Sequence, residues 1–503
     1  MSETRERLLA LLTRYDGDPH RLHDEVVALD LDLRDIETTV LGGRFEPMTP
    51  LLGAARWLIS HGADDRLRLL GLKLLDGAAE PADVQEITSL ARVPALRRFA
   101  VQVLVRVPGA ERTAVRLAED AGERYLVIRR LITHTDPWIA DWVRAHCGDG
   151  SVARRVAEAH DLLGLLDQFD VPDRLWDQAG RLLHGMSRAH GYSVLHEYAD
   201  AVAACRRWVE LAHLRPATPE RLVALIAFAD EIATGYAALV LGDQRVDLVA
   251  ALREIASAWI EELGSVTPWA TLRVAALDVP PSGFAVRVVT SPPDPVSAAE
   301  ARVVIDGVPI AARVFGCWRA DSPEQVIPRL TATTEPREIV LDENDGAELR
   351  VTIVREGDEV VWRDWKCVIG ARLPGEHRFD AAAYDREVAR VAQDHSWEWP
   401  ARTVARLVTE RLQADPSILG RRGFGRGSCW SSWDGPDLAE LDFAYAEMFT
   451  EPHFRFRMRL DVAGRDPGEV ADETIAGLEI AVQVLALRLC LQFRSRDYQA
   501  FPK

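Results

Sequence analysis

The spacing of apolar residues divides the chain into two halves. From the N-terminus to about residue 265, apolar residues recur at i, i+3, i+4 and i+7, which is typical of helices with one buried face. From Thr271 onward they alternate with polar residues at a period of two, in short stretches rich in Val and Ile. The pattern therefore predicts a multidomain protein in which one part is all-α and another is α+β. Its helical N-terminal half is α-solenoid-like, and its α+β C-terminal half contains antiparallel hairpins.

Three strongly amphipathic stretches recur at regular intervals in the helical half. They begin at Arg66 (RLRLLGLKLLDG), Leu96 (LRRFAVQVLVRV) and Tyr125 (YLVIRRLITHTD), 30 and then 29 residues apart. Each follows a shorter helical stretch and a break, and a repeat of about 20–50 residues with this content is typical of an α-solenoid. Residues 45–160 thus resemble short bacterial HEAT-like repeats, and the resemblance implies an extended surface for partners. An irregular helical bundle is the alternative interpretation.

Further helices follow the repeats. Thr218 and Pro219 form a helix start, with a hydroxyl N-cap followed by Pro at the first helical position, and Gly264 stands where a C-cap is expected. The predicted helices are 173–190, 193–214, 218–241 and 246–263.

The C-terminal half mixes strands and helices. The clearest hairpin spans 348–367 and turns around Gly357, and a helix capped by Asp380 follows it. The other predicted strands are 271–277, 284–290, 301–307 and 308–315, with a second hairpin from 437–448 to 453–462 and further helices at 399–415 and 467–493. We expect three regions, an all-helical one at 1–265, a β-rich one at 270–370 and an α+β one at 378–503, the last two being separate or one domain.

The amino-acid composition argues against some classes of function. Of 503 residues, 60 are Lys or Arg and 78 are Asp or Glu, a net charge of −18 that argues against a general nucleic-acid binder. The start of the chain lacks a secretory signal and no apolar run reaches the ~20 residues of a membrane helix, so we expect a cytoplasmic protein without membrane contact. The bias toward Arg, Ala and Val is typical of a high-GC bacterial genome.

The familiar signatures of catalysis are missing. The chain has no phosphate-binding P-loop, no HExxH zinc helix, no GxSxG elbow and no kinase signature. Its six cysteines are scattered and include no CxxC pair, which favours reduced thiols over a disulfide framework or a zinc ribbon. No cofactor and no metal is implied, and an enzyme is the less favoured class.

One segment combines several groups that bind ligands. Residues 418–437 (ILGRRGFGRGSCWSSWDGPD) contain five glycines, three arginines and two tryptophans. Glycines let a backbone approach a ligand closely, and arginines offer bidentate hydrogen bonds to phosphate or carboxylate. The candidate ligand-binding residues are Arg421, Arg422, Arg426, Trp430 and Trp433. A glycine-rich connector that leads into a core strand is the other interpretation.

Tryptophans are concentrated nearby. Six of the 14 fall within residues 362–433. Tryptophan suits binding surfaces because it buries a large area at a small cost in entropy, but it is also a core residue. We add Trp397 and Trp399 to the candidate ligand-binding residues, with a core role as the alternative.

A thiol site is the alternative for catalysis. Cys429 lies in the glycine- and arginine-rich segment, where positive charge favours a thiolate. His395 could supply the base, with Asp394 or Glu398 as the acid beside it. The alternative function is therefore a cysteine-dependent hydrolase or transferase. An inert buried thiol is the simpler interpretation of Cys429.

Two weaker patterns complete the survey. His20 and His23 stand at i and i+3 of a helix, a spacing that could share a metal, although ordinary solvated histidines account for it equally. Arg455, Arg457 and Arg459 alternate with apolar residues, as in a half-exposed strand or a nucleic-acid platform. The preferred hypothesis is a non-enzymatic interaction or scaffold protein that binds a protein, peptide or anionic ligand through helical repeats and Trp/Arg-rich surfaces.

Overall fold

A computed structural model describes most of the chain. The described residues are 3–29, 31–34, 36, 49–148, 150–187, 194–264, 270, 273–274, 276–279, 282–290, 299–316, 320–344, 347–368, 373–420, 428–431, 437–444 and 455–478. Contacts divide the chain into two compact units. The first comprises Met1–Ala189 with Val194–Trp208, and the second His190–Ser193 with Val209–Lys503.

The N-terminal half is helical, as the apolar spacing predicts. Its helices through the first unit are α1 (Glu3–Thr13), α2 (Pro19–Ala28), α3 (Thr49–His61), α4 (Asp65–Leu75), α5 (Val84–Leu90), α6 (Pro94–Leu104), α7 (Glu111–Leu117), α8 (Ala121–Leu131), α9 (Pro137–His146), α10 (Gly150–Ala159), α11 (Leu162–Leu166), α12 (Asp173–Ser187) and α13 (Ala201–Ala212).

The three repeated stretches lie side by side. They correspond to α4, α6 and α8, and α6 contacts both of the others. Each packs against the helix before it, so that α3 pairs with α4, α5 with α6, and α7 with α8. Their inward stripes are apolar and buried, for example Leu70 and Leu74 on α4 and Ala100 and Leu104 on α6. The relationship to HEAT-like repeats stays a prediction.

The second unit begins with three more helices. They are α14 (Pro219–Thr234), α15 (Ala237–Leu241) and α16 (Arg245–Leu263). Both predicted ends are confirmed: Thr218 Oγ1 accepts the backbone N–H of Arg221 at 3.2 Å, and Gly264 has the left-handed φ of 61° that suits glycine. The predicted single helix at 218–241 is broken at Gly235, where α14 ends.

The C-terminal half is α+β. Its strands are β1 (Phe284–Thr290), β2 (Ala299–Ile305), β3 (Val308–Pro309), β4 (Arg337–Asn344), β5 (Ala347–Glu356), β6 (Glu359–Cys367), β7 (His377–Asp380), β8 (Ser428–Ser431), β9 (Leu438–Ala444) and β10 (Arg455–Asp461). Its helices are α17 (Ile310–Phe315), α18 (Pro323–Val326), α19 (Ala381–Gln393), α20 (Pro400–Ala414), α21 (Ser417–Gly420) and α22 at 467–478.

These strands form antiparallel sheets. The described strands give the orders β1-β2-β3, β4-β5-β6-β7 and β10-β9-β8. Both predicted hairpins are confirmed: β5 and β6 pair across the turn at Gly357, and β9 pairs with β10. Asp380 also caps α19, accepting the N–H of Ala383 at 2.7 Å.

Two predicted strands are wrong. Residues 273, 274 and 276, within the predicted strand 271–277, are helical. Residues 308–315 form only the short β3, after which α17 places Ile310, Val314 and Phe315 in the core. Short apolar runs fit a buried helix as well as a strand, and the packing of these side chains decides between the two.

The boundary between the two units does not coincide with the end of the helical half of the chain. The predicted boundary near residue 265 marks the end of the helical half, but α14 packs on β1 and belongs to the second unit. One core joins β1–β7 to α19 and ends with Trp397, and a second begins with Trp399 and covers α20, β9 and α22. The change of core thus lies beyond the gap at 370–378 that the sequence suggested.

Candidate functional site

Most of the glycine- and arginine-rich segment lies outside the described residues. The residues outside the described part include Arg421, Arg422, Arg426 and Trp433. The backbone of Trp430 is described and lies on β8, opposite Glu440 of β9. The role of this segment in ligand binding therefore stays a prediction.

Trp397 and Trp399 lie in cores. Each side chain is only 4% exposed, the first in the core of the large sheet and the second in the core beneath β9. The Trp397 indole N–H donates to the Asp394 carbonyl at 2.8 Å, and the Arg402 guanidinium stands over both rings at 5.7 and 6.0 Å. The two rings thus enter different cores, so the core interpretation accounts for their placement.

The groups of the alternative thiol site have separate structural surroundings. Cys429 lies on β8 and packs against the core that contains Trp399. His395 lies in the turn after α19, with Nδ1 3.5 Å from Glu398, whose carboxylate binds Arg406 at 2.7 Å. Asp394 accepts the Ser396 hydroxyl at 2.6 Å. These contacts serve the turn between α19 and α20, and a catalytic role for Cys429 stays a prediction.

His20 and His23 pack around an aromatic ring. Their rings meet Trp57 of α3 edge-on, with centroids 4.6 and 5.8 Å away, and His61 stacks on the same indole at 5.0 Å. Among the described residues, no group of three or more His, Cys, Asp or Glu side chains is arranged to hold a metal ion. The i, i+3 spacing thus serves contact between α2 and α3.

Two arginines of β10 form ion pairs with acidic side chains on the neighbouring strand, β9. Arg457 donates to Asp442 at 2.9 Å, and Arg459 donates to Glu440 at 3.0 Å. Both acids lie on β9 in the same sheet. These pairs neutralise the positive charge that a nucleic-acid platform would need.

A different Trp/Arg cluster lies on α7 and α9 of the first unit. Trp138, in the first turn of α9, is 42% exposed, which is unusual for so large an apolar side chain. Arg112 and Arg116, one turn apart on α7, place their guanidinium carbons 5.5 and 6.0 Å from its ring centroid. Such cation–π contacts hold the indole in place while one side of it remains open to solvent.

The start of α9 fixes this arrangement. Asp136 caps the helix by accepting the N–H groups of Trp138 and Ile139 at 2.9 and 3.4 Å, and its other oxygen accepts Arg112 Nε at 2.8 Å. Desolvation alone would raise the pKa of Asp136, but the Arg112 guanidinium and the helix N–H groups lower it. One carboxylate therefore positions both the helix and the arginine.

Aromatic side chains continue along α9. Trp142 and His146 follow Trp138 at four-residue intervals, and their rings stack with centroids 4.6 Å apart. Ile139 and Val143, each one position further along, are buried. We call the group Arg112, Arg116, Trp138, Trp142 and His146 the Trp138 surface.

Local charge distinguishes this part of the protein. Residues 94–131, which contain α6–α8, have eight arginines and four acidic residues, a net charge of +4 in a chain whose total is −18. Arg116 is exposed and has no ion-pair partner among the described residues. The Trp138 surface therefore presents aromatic rings beside positive charge.

Sequence reasoning missed this site because it weighed tryptophans only where they are most concentrated. The spacing R-x-x-x-R at 112–116 and W-x-x-x-W-x-x-x-H at 138–146 is visible in the sequence. Both spacings place side chains on one face of a helix. The contact between the two helices, 22 residues or more apart in sequence, could not be inferred from either motif alone.

No single described helix is long and apolar enough to cross a membrane; the pair Pro219–Thr234 and Ala237–Leu263 meets that criterion only when combined, across a bend of 63°. Comparisons of the chain with protein-family models, curated proteins and solved structures give no match.

Proposed function

We propose that this protein is a non-enzymatic interaction protein whose helical repeats bind an acidic segment of a partner protein through the Trp138 surface. The observation that carries the proposal is the exposed Trp138, with the guanidinium groups of Arg112 and Arg116 5.5 and 6.0 Å from its ring centroid. Trp and Arg are the residue types that most often dominate binding energy at protein interfaces.

Charge favours an acidic partner. The surrounding helices are net positive within an acidic chain, so an acidic segment is attracted here and repelled by the remainder of the molecule. Arg116 offers a bidentate fork to a carboxylate, and the open side of the Trp138 ring offers an apolar contact beside it. The glycine- and arginine-rich segment at 418–437 remains a second predicted contact region.

The test is comparative capture with the full-length protein. Wild type and the variants Trp138→Ala and Tyr125→Ala are used as bait in lysate of the source organism, and captured proteins are quantified by mass spectrometry. Tyr125 is a matched control because it is an aromatic residue on α8, the helix before α9. It is 38% exposed, and the Arg129 guanidinium lies 5.5 Å from its ring centroid.

We expect at least one acidic protein to be captured by wild type and by Tyr125→Ala, and to be lost with Trp138→Ala. Its affinity should fall by about 30-fold or more, the effect of a hot-spot residue worth about 2 kcal/mol. Arg116→Gln should weaken binding and reduce its dependence on salt. Equal capture by all three baits, with circular dichroism unchanged, would refute the proposal.

A further inference from the structure

A cavity lies between α1 and α2 at the start of the first unit. Its volume is about 540 Å³, within the range of about 300–1,000 Å³ that is usual for small-molecule sites. Leu11 on α1, Leu22 on α2 and Leu29 at the C-terminal end of α2 give it apolar walls. It shares no residue with the Trp138 surface.

Three arginines and two carboxylates, Asp16 and Glu25, form the charged lining of this cavity. Arg7 lies on α1 and Arg14 directly follows its last residue, and both line the cavity together with Leu11 of α1. Arg21, from α2, is already engaged: it donates to Asp16 and to Glu25, each at 2.8 Å. Arg7 and Arg14 have no ion-pair partner within the described part of the chain, so their charges are available to a ligand.

A phenol adds a hydrogen-bond donor to the same lining. Tyr15 follows Arg14 directly and is half-buried. Burial, and then the negative charges of Asp18 and Asp16, raise the pKa of Tyr15. Its hydroxyl therefore keeps its proton at neutral pH and can donate to an anionic group.

We propose that this cavity binds a small organic anion with an apolar body. One negative group lies between Arg7 and Arg14, because two unshared guanidinium groups attract an anion and offer charge-assisted hydrogen bonds. The body of the ligand lies against Leu11, Leu22 and Leu29, which are removed from water when it binds. A cation is excluded by the arginines, and a bare inorganic anion would leave the apolar walls unused.

A pair of fluorescent probes tests the two parts of this ligand separately. Anilinonaphthalene sulfonate has an apolar body and one anionic group, and N-phenylnaphthylamine has the same rings without the sulfonate. Binding of each to the full-length protein is measured by fluorescence titration. We expect saturable binding of the sulfonate at one site, at least 10-fold tighter than binding of the uncharged probe.

Two kinds of variant separate the contributions. Arg7→Gln and Arg14→Gln should each weaken binding of the sulfonate about 10-fold and leave the uncharged probe unaffected. Ala10→Trp fills the cavity from α1 while keeping both arginines, and should weaken both probes. Arg98→Gln, an exposed arginine on α6, is the matched control and should change neither.

Each outcome decides the proposal. Equal affinity for both probes, or unchanged sulfonate binding in Arg7→Gln and Arg14→Gln, would overturn it. Sulfonate binding that survives Ala10→Trp would also overturn it, because the ligand would then lie on the surface and not in the cavity. Far-ultraviolet circular dichroism of every variant shows whether the fold is kept. None of these readouts depends on the Trp138 surface, so the two proposals can fail independently.

Discussion

Replacing Arg302 with Met should destabilise the second unit severely. Arg302 lies on β2, where its guanidinium binds Glu231 of α14 at 2.5 Å and Glu300 of its own strand at 2.9 Å. All three side chains are at most 8% exposed. Burial lowers the pKa of Arg302, but the charges of Glu231 and Glu300 more than offset this and raise it. Arg302 therefore stays charged and keeps two buried carboxylates compensated.

The magnitude follows from what the substitution leaves behind. Met fills a similar volume, so the main loss is electrostatic: Glu231 and Glu300 remain buried without their cation. Removing one partner of a buried pair costs about 3–5 kcal/mol, because desolvated charge is left uncompensated. Net stabilities are only about 5–15 kcal/mol, so this loss is a large share of the total.

An exposed site of the same design supplies the control. Arg350 also bridges two glutamates, donating to Glu338 at 3.2 Å and to Glu348, but its side chain is 40% exposed. Because water screens such pairs, Arg350→Met should destabilise the protein far less than Arg302→Met. Urea denaturation of both variants, followed by circular dichroism and tryptophan fluorescence, measures the difference in free energy of unfolding.

A rescue variant distinguishes lost charge from lost packing. Adding Glu231→Gln and Glu300→Gln to Arg302→Met removes the uncompensated charge and should restore about half of the lost stability or more. If Arg302→Met costs no more than Arg350→Met, the reasoning about buried charge is refuted. If the rescue variant is no more stable than Arg302→Met alone, packing and not charge explains the loss.

Two further predictions concern pH and packing. Burial, and then the charge of Asp321, raise the pKa of Asp342 well above its usual value, so stability should fall as the pH rises from about 4 through the folded-state pKa. In thermal unfolding at pH 7, Asp342→Asn should therefore be more stable than wild type, and this difference in stability should disappear toward pH 4. A difference that does not change with pH would contradict the prediction. A Cβ at Gly180 would lie 2.9 Å from the indole of Trp208, so Gly180→Ala should lower stability by about 1–3 kcal/mol. Gly53→Ala, in a helix where the new Cβ meets nothing within 4 Å, should raise it by about 0.5–1 kcal/mol, and the same sign for both would refute the argument.

Local signals were sufficient for much of the secondary structure. The caps Thr218 and Asp380 act on N–H groups three residues away, and the turn at Gly357 joins strands that are adjacent in sequence. Such features depend on neighbouring residues and can be read along the chain. The alternation at 308–315 failed because burial on several sides overrode the local pattern, as the short helix α17 brings Ile310 and Phe315 into the core.

The candidate sites depended more on the fold. The aromatic spacing of Trp138 and Trp142 belongs to one helix, but the arginines over Trp138 come from another. The sequence could not tell which tryptophans reach the surface: Trp397 is buried although a polar residue stands on either side of it. Exposure is a property of the packed molecule, because it depends on which elements cover a side chain.

The sequence by itself determined that a helical half precedes an α+β half, that Thr218 and Asp380 begin helices, and which strands form the two hairpins. Only the tertiary structure decided that α14 packs with the second unit, that Glu231 and Arg302 meet 71 residues apart, and that Arg112 and Arg116 flank Trp138. The physical reason is the distance along the sequence between the groups that interact. Backbone hydrogen bonds and caps are satisfied by near neighbours, whereas burial and charge compensation depend on groups that only folding brings together.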